Sequence, residues 1–358
     1  MSTNTIHPQR RLLLAGLLAL PFAGAYAAAQ TGGAQLFALT SPQRAASLQQ
    51  RVAPQAQAEL LKAAQKNLDR PLHLMPVVRT GGLLDGEGGR AQSQQAQEDW
   101  RQARLQALAW RLSGKQEHLA SARRYVLAWT ADYQPSFSPI DETELSSLLF
   151  AYDLIFDRLD DSERIQVRRF GRTLAIGYLA EKIIVGGPGT ARNNWHSHRV
   201  KLGTAGAYIS GDTSLIAAAQ QRFAAHVPRN IHDDGLPFDF EQRDALHYVT
   251  YTLEPLLTAA LMAQAHGEDW YASQRRLGAA LAWLEPYAKG SKTHEEFAKS
   301  VVPFDRKRAA AGETGFTGEW QRSGAATVYQ LASRFDMRYA PLAAELHPAA
   351  WVQALFSA

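Results

Sequence analysis

The sequence contains no cysteine in 358 residues. Disulfides, thiolate metal sites and a cysteine nucleophile are thereby excluded. A surplus of one charge sign is also missing. The 38 basic and 34 acidic residues leave a net +4, too little to argue for a nucleic-acid partner. Charged residues make up 20% and hydrophobic residues 46%, which argues against disorder and allows a sizeable core. There is no alternating strand and helix rhythm and no repeat of fixed period, which disfavours an α/β fold and a regular solenoid. The apolar run over residues 12–20 is short for a bilayer. It follows Arg10-Arg11 and precedes the small-residue sites Ala25-Tyr26-Ala27 and Ala27-Ala28-Ala29, the layout of a cleaved secretory signal. The expected organisation is a signal peptide over 1–29 and a single domain over 30–358. The mature chain is expected to be periplasmic or secreted, with no membrane segment. Cleavage removes two arginines and no acid, taking the net charge from +4 to +2. Such mild basicity suits an anionic polymer.

What is present is helical spacing. Leu105, Leu108, Ala109 and Leu112 recur at helical intervals, as do Leu119, Ala122, Val126 and Trp129. Leu145, Leu148, Leu149, Tyr152, Ile155 and Phe156 form a third such series. Asp161 is the expected N-cap of a helix running to Ile184. Further helices are expected up to Ser210, from Thr213 to before Pro228, and over 245–265, 270–289 and 325–335. A loop zone rich in proline and glycine covers 70–90. The pattern is that of an all-α domain of antiparallel helical hairpins.

Two stretches carry unusual chemistry. The first is Arg192-Asn193-Asn194-Trp195-His196-Ser197-His198-Arg199, and the second runs from Asp239 to Tyr251. If the second is one helix, Arg243, His247 and Tyr251 share a face at i, i+4 and i+8. If the first is helical, Asn194, His198 and Lys201 share a face and His196 points elsewhere. Amides, imidazoles, a phenol and guanidinia suit β-elimination of a uronic-acid polymer. Amide or guanidinium donors neutralise the carboxylate and stabilise the developing enolate. One group takes the C5 proton and another protonates the departing O4. No metal or cofactor is required.

At these residues the chain resembles a known family, the periplasmic alginate lyases that cleave poly-mannuronate. Those enzymes carry an Asn-Asn-His-Ser-Tyr-Trp motif, where this chain has Asn193-Asn194-Trp195-His196-Ser197-His198. They also carry Arg-Ala-Leu-Ala-Tyr-His-Asn-Tyr between an Asp-Gly turn and a Leu-x-Pro-Leu run. This chain has Asp234-Gly235, then Asp244-Ala245-Leu246-His247-Tyr248-Val249-Thr250-Tyr251, then Leu253-Glu254-Pro255-Leu256. The resemblance implies an (α/α) toroid or incomplete barrel with a long substrate groove, and a lyase acting on alginate or a related polyuronate. It implies that Asn194 and Arg243 neutralise the substrate carboxylate. Tyr251, the match to the family's catalytic Tyr, protonates O4 and takes the C5 proton when both lie on one side of the sugar. The Arg243 guanidinium is expected to lower the Tyr251 pKa. His196 acts as base or orients the carboxylate, with His198 as second choice. Arg79, Asn193, Trp195, Arg199, His247 and Tyr248 are the expected substrate contacts. Trp195 interrupts the first motif, so Asn193 stays a candidate beside Asn194. The family Arg aligns without a gap on Asp244, one residue past Arg243.

Three other functions fit parts of the sequence. A glycoside hydrolase would use two carboxylates among Asp233, Asp234, Asp239, Glu241 and Asp244. A metal-dependent hydrolase would use His196 and His198. A non-catalytic polysaccharide-binding protein would use the aromatic residues alone.

Overall fold

The helical spacing is realised in a computed structural model that describes residues 36–357. The expected signal segment, residues 1–29, lies outside the described residues. In chain order the helices are α1 (Pro42–Ala46), α2 (Leu48–Arg51), α3 (Pro54–Lys66), α4 (Arg90–Ser113), α5 (Gln116–Asp132), α6 (Leu145–Ile155), α7 (Asp161–Tyr178) and α8 (Asn194–Ser210). They continue as α9 (Thr213–Asn230), α10 (Phe238–Arg243), α11 (Leu246–Ala265), α12 (Arg275–Ala288), α13 (Pro303–Ala310), α14 (Ala326–Ala332), α15 (Ala340–Glu345) and α16 (Ala350–Phe356). Among the described residues, extended pairing is limited to the isolated bridges Ile231–Pro237 and Glu295–Glu319.

Local chemistry sets the helix ends. The Asp160 carboxylate accepts from Glu163 N at 3.0 Å, and Glu163 accepts from Asp160 N at 3.0 Å. This reciprocal box starts α7 one residue before the expected cap Asp161. The helix stops at Tyr178, well short of Ile184. Asp212 caps α9 through Ser214 N and Leu215 N. That helix continues through Pro228 to Asn230.

Burial sorts the helices into two layers. Every residue of α6 is buried, as are Asn194 and His196 through Ile209 in α8. A helix buried all round belongs inside other helices, whereas one with a single apolar stripe faces water. α7 and α9 are of the second kind, burying residues such as Val167, Phe170 and Leu174, or Ala219, Phe223 and Val227. The inner helices contact one another in sequence: α4 on α6, α6 on α8, α8 on α11, α11 on α14 and α14 on α16. α16 then packs on α3 and α4, so the ring returns to its start. This is the expected (α/α) toroid. Its tightest seam joins α7 to α8. A Cβ on Gly206 would lie 2.3 Å from the Gly171 carbonyl oxygen, so the two backbones approach as closely as they do only because both residues are glycine.

Candidate active site

The first motif opens α8. Asn193 is its N-cap, with Oδ1 accepting from Trp195 N at 3.1 Å. Asn194 is 1% exposed. Its backbone N and its Nδ2 both donate to Asp239 Oδ1, at 2.9 and 2.6 Å, while Oδ1 is buried without a partner. Asp239 also accepts from Asn230 Nδ2 at 2.8 Å. Thr252 Oγ1 donates to Asn230 Oδ1 at 3.1 Å, and Ser197 Oγ lies 2.7 Å from Thr252 Oγ1 and 2.9 Å from His226 Nε2. The motif is therefore rooted in a buried polar network linking α8, α9, α10 and α11. Asp239, one of the carboxylates considered for hydrolysis, is its hub, and burial holds its pKa above the usual range.

The second stretch is two helices rather than one. Asp244 takes the left-handed conformation at φ 48°, and Ala245 is extended. The segment after α12 supports the break. Phe297 N donates to Asp244 O at 2.8 Å, and Lys299 N to Asp244 Oδ2 at 2.7 Å. Glu296 then supplies the missing cap of α11, accepting from Leu246 N at 2.7 Å and His247 N at 3.3 Å. Arg243 thus shares no helix face with His247 and Tyr251. It reaches the second helix another way, its guanidinium lying 3.7 Å over the Tyr248 ring. Asp305 fixes it there with bonds of 3.0 and 2.5 Å.

His198 and Tyr251 meet across the α8–α11 seam with ring centroids 4.3 Å apart, and His247 stacks on Tyr251 at 5.8 Å. Thr143 Oγ1 lies 2.6 Å from His198 Nδ1, and Lys201 Nζ donates to Thr143 Oγ1 at 2.9 Å. His198 Nε2 is buried with no partner. Burial, then Lys201, holds His198 well below the ordinary histidine pKa. His247 is exposed yet ringed by protein. That crowding lowers its pKa, and Arg243 and Arg308 add to the effect. Both imidazoles are therefore neutral at pH 7. Burial, followed by Tyr248, raises the Tyr251 phenol, contrary to the expected lowering by Arg243. Desolvation is the larger effect here, and Arg243 sits on Tyr248 instead.

Two loops flank this cluster. Thr80 N and Gly81 N donate to Asp141 Oδ1 at 2.7 and 2.6 Å, next to Thr143, and leave Arg79 exposed. Arg308 on α13 lies 4.6 Å over the Phe316 ring, and Phe316 stacks on Phe297 at 4.8 Å. Glu313 joins the two loops. It accepts from Arg90 at 3.0 Å and from Asp85 N at 3.2 Å, and sits 3.3 Å from Arg308 Nε.

Other expected residues lie elsewhere. His196 faces His226 at 4.6 Å, away from Tyr251, and burial followed by Arg199 takes its pKa down to about 3. His196 and His198 therefore share no site. Arg199 is 3% exposed and ties α8 to the preceding loop through Thr190 O at 2.8 Å and Val185 O at 2.5 Å. Trp195 is half-buried. The carboxylates considered for hydrolysis are dispersed. Asp233 pairs with Arg276, Asp234 holds Leu236 N, and Glu241 pairs with His232. Thr143, Arg308 and Glu313 carried no signal in the sequence, because their partners are remote in the chain. Lys201 was signalled by its helical register with Asn194 and His198. Surface depressions at the C-terminal helices, such as the one lined by Gln330, Met337, His347 and Gln353, contain none of these side chains.

Known proteins resemble this chain in sequence and fold. A polysaccharide lyase from Stenotrophomonas maltophilia (strain K279a) is 32% identical over 133 residues, 36% of this chain. The match spans 39% of the length of that relative. An alginate lyase from Bacteroides ovatus superposes with a TM-score of 0.66 at 16% identity, over 90% of this chain and 99% of that one. That likeness speaks for the fold. The alginate lyase family profile matches residues 39–294, most of the chain and all of the α8–α11 cluster, so this chain belongs to the alginate lyase family.

Proposed function

We propose that the chain is a polysaccharide lyase that cleaves a uronic-acid polymer by β-elimination at the His198–Tyr251 cluster. The observation that carries this is the make-up of the cluster: a protonated phenol and two neutral imidazoles, flanked by two guanidinia that Asp305 and Glu313 hold in place. A base takes the C5 proton, and the electrons of that bond pass into the C6 carboxylate as an enolate. They return to form the C4–C5 double bond as the C4–O4 bond breaks, and the departing O4 takes a proton. Tyr251, kept protonated by its raised pKa, supplies that proton. His247, neutral and open to solvent, is the base. Arg243 and Arg308 balance the substrate carboxylate, whose charge grows in the enolate. Asn194 contributes at most the second Nδ2 hydrogen, since the first is held by Asp239. Arg79 offers a further cation to the polymer. Among the described residues no helix is long and apolar enough to cross a membrane. The signal motif within residues 1–29 supports export to where such a polymer is met.

A panel of poly-mannuronate, poly-guluronate and glucuronan tests the proposal. Release of the unsaturated-uronate chromophore from at least one polymer is expected. New reducing ends without the chromophore would replace elimination with hydrolysis, and tight binding without turnover would leave a binding protein.

A further inference from the structure

The hydrogen-bond chain behind His198 fixes where its proton is. Lys201 is 5% exposed and has Glu254 and Glu144 as its acidic neighbours. Its ammonium has donors and no acceptor. Thr143 Oγ1 must therefore accept from Lys201 at 2.9 Å, which turns the single hydroxyl proton toward His198 Nδ1 at 2.6 Å. Among the described residues that oxygen has no other hydrogen-bond partner. If His198 Nδ1 also donated, the threonine proton would have no acceptor. A neutral imidazole whose Nδ1 accepts carries its hydrogen on Nε2. Nε2 is the buried nitrogen beside Tyr251 that no side chain engages, and the Tyr251 main-chain carbonyl is the acceptor near the ring.

We infer that Thr143 and Lys201 are positioning residues that hold His198 as the Nε2–H tautomer, making it a hydrogen-bond donor to an oxygen in the site and barring it from taking the C5 proton. The consequence for the reaction rests on the lyase function proposed above, whereas the tautomer itself does not. His198 then joins the groups that stabilise negative oxygen, and proton abstraction falls to His247.

The test is long-range proton–nitrogen NMR on the full chain labelled with nitrogen-15 histidine, with the His198 signals assigned from a His198→Gln sample. In the unsubstituted protein, Nδ1 is expected as the unprotonated nitrogen and Nε2 as the protonated one. Thr143→Val keeps the side-chain shape and removes the hydroxyl. It should mix or reverse the tautomer and lower kcat by about 10- to 100-fold, the usual cost of losing an orienting partner, with little change in KM. Thr143→Ser should restore both the spectrum and the rate. Lys201→Met frees the hydroxyl to turn and should also mix the tautomers. Thr143→Val decides the matter if that variant does not fold. A protonated Nδ1 in the unsubstituted protein, or a Thr143→Val spectrum unchanged at His198, overturns the inference. If no polyuronate is cleaved, the lyase proposal fails and the spectra still decide the tautomer.

Discussion

His198 and His196 lie two residues apart on α8, both buried and both held neutral, yet their surroundings differ in kind. His198 faces a phenol, a threonine hydroxyl and a lysine drawn from other turns and elements, next to the solvent-exposed His247. His196 faces His226 and the arginines Arg199, Arg222 and Arg229. Its neighbour Ser197 is tied into the Thr252–Asn230–Asp239 network. A depressed imidazole pKa is common to both and so identifies neither as catalytic. What separates them is whether a second proton carrier and an opening lie within reach. The helix itself makes the division, because positions i and i+2 point to nearly opposite sides.

The sharpest way to test that division is to remove the phenol on the His198 side. Tyr251→Phe should lower kcat by about 10²–10⁴-fold, the usual worth of a general acid, while thermal stability stays close to that of the unsubstituted protein. Tyr248→Phe, beneath Arg243, should cost much less under saturating substrate. If the two results were exchanged, the cleft would lie on the Tyr248 side. His198→Gln comes next, with a loss of about 10²–10³-fold expected for a missing donor to developing charge. The matching change on the other side, His196→Gln, should leave kcat within about twofold and instead cost about 1–3 kcal/mol of stability by disturbing buried packing. A His196→Gln protein that is stable but inactive would break the comparison.

Much of the His198 side was legible in the sequence. The register placing Asn194, His198 and Lys201 on one face holds in α8, and Tyr251 does stand beside His198. The family and the toroid expected from the motifs are also found. What could not be read depends on residues far apart in the chain. The helix expected from Ala245 does begin at Leu246, but the shared face of Arg243, His247 and Tyr251 required one helix through Asp244. The break at Asp244 is stabilised by Phe297 N and Lys299 N, and α11 is capped by Glu296, about fifty positions on. Aspartate tolerates the left-handed conformation better than most residues, the one local hint of a break. The expected effect of Arg243 on Tyr251 failed for the same reason. Asp305 and the Tyr248 ring fix the guanidinium elsewhere, and burial of the phenol outweighs it.

The smallest effect is the most specific to the His196 side. His196 titrates at about 3 in the folded protein, against about 6.5 for an unperturbed histidine. Between those values the unfolded chain binds a proton there that the folded chain does not, so stability falls as pH falls below about 6.5, by up to ~1.4 kcal/mol per pH unit. His226 and His198, also held low by burial, act in the same direction. Asp153 and Glu296, both raised to about 7 by burial, act in the opposite one. They are protonated in the fold and ionised in the unfolded chain over roughly pH 4.5 to 7, so they lend stability as pH falls. The opposing groups should leave the stability of the unsubstituted protein changing only gently from pH 7 to 5. The difference from His196→Gln removes most of this cancellation, because of the opposing groups only His226 touches the substituted side chain. The gap of about 1–3 kcal/mol expected at pH 7 should narrow by up to ~1.4 kcal/mol for each unit below about 6.5, and urea denaturation at pH 7, 6 and 5 measures it. A gap that stays constant over that range would mean that His196 protonates as readily in the fold as out of it, and the interior character assigned to that face of α8 would be wrong.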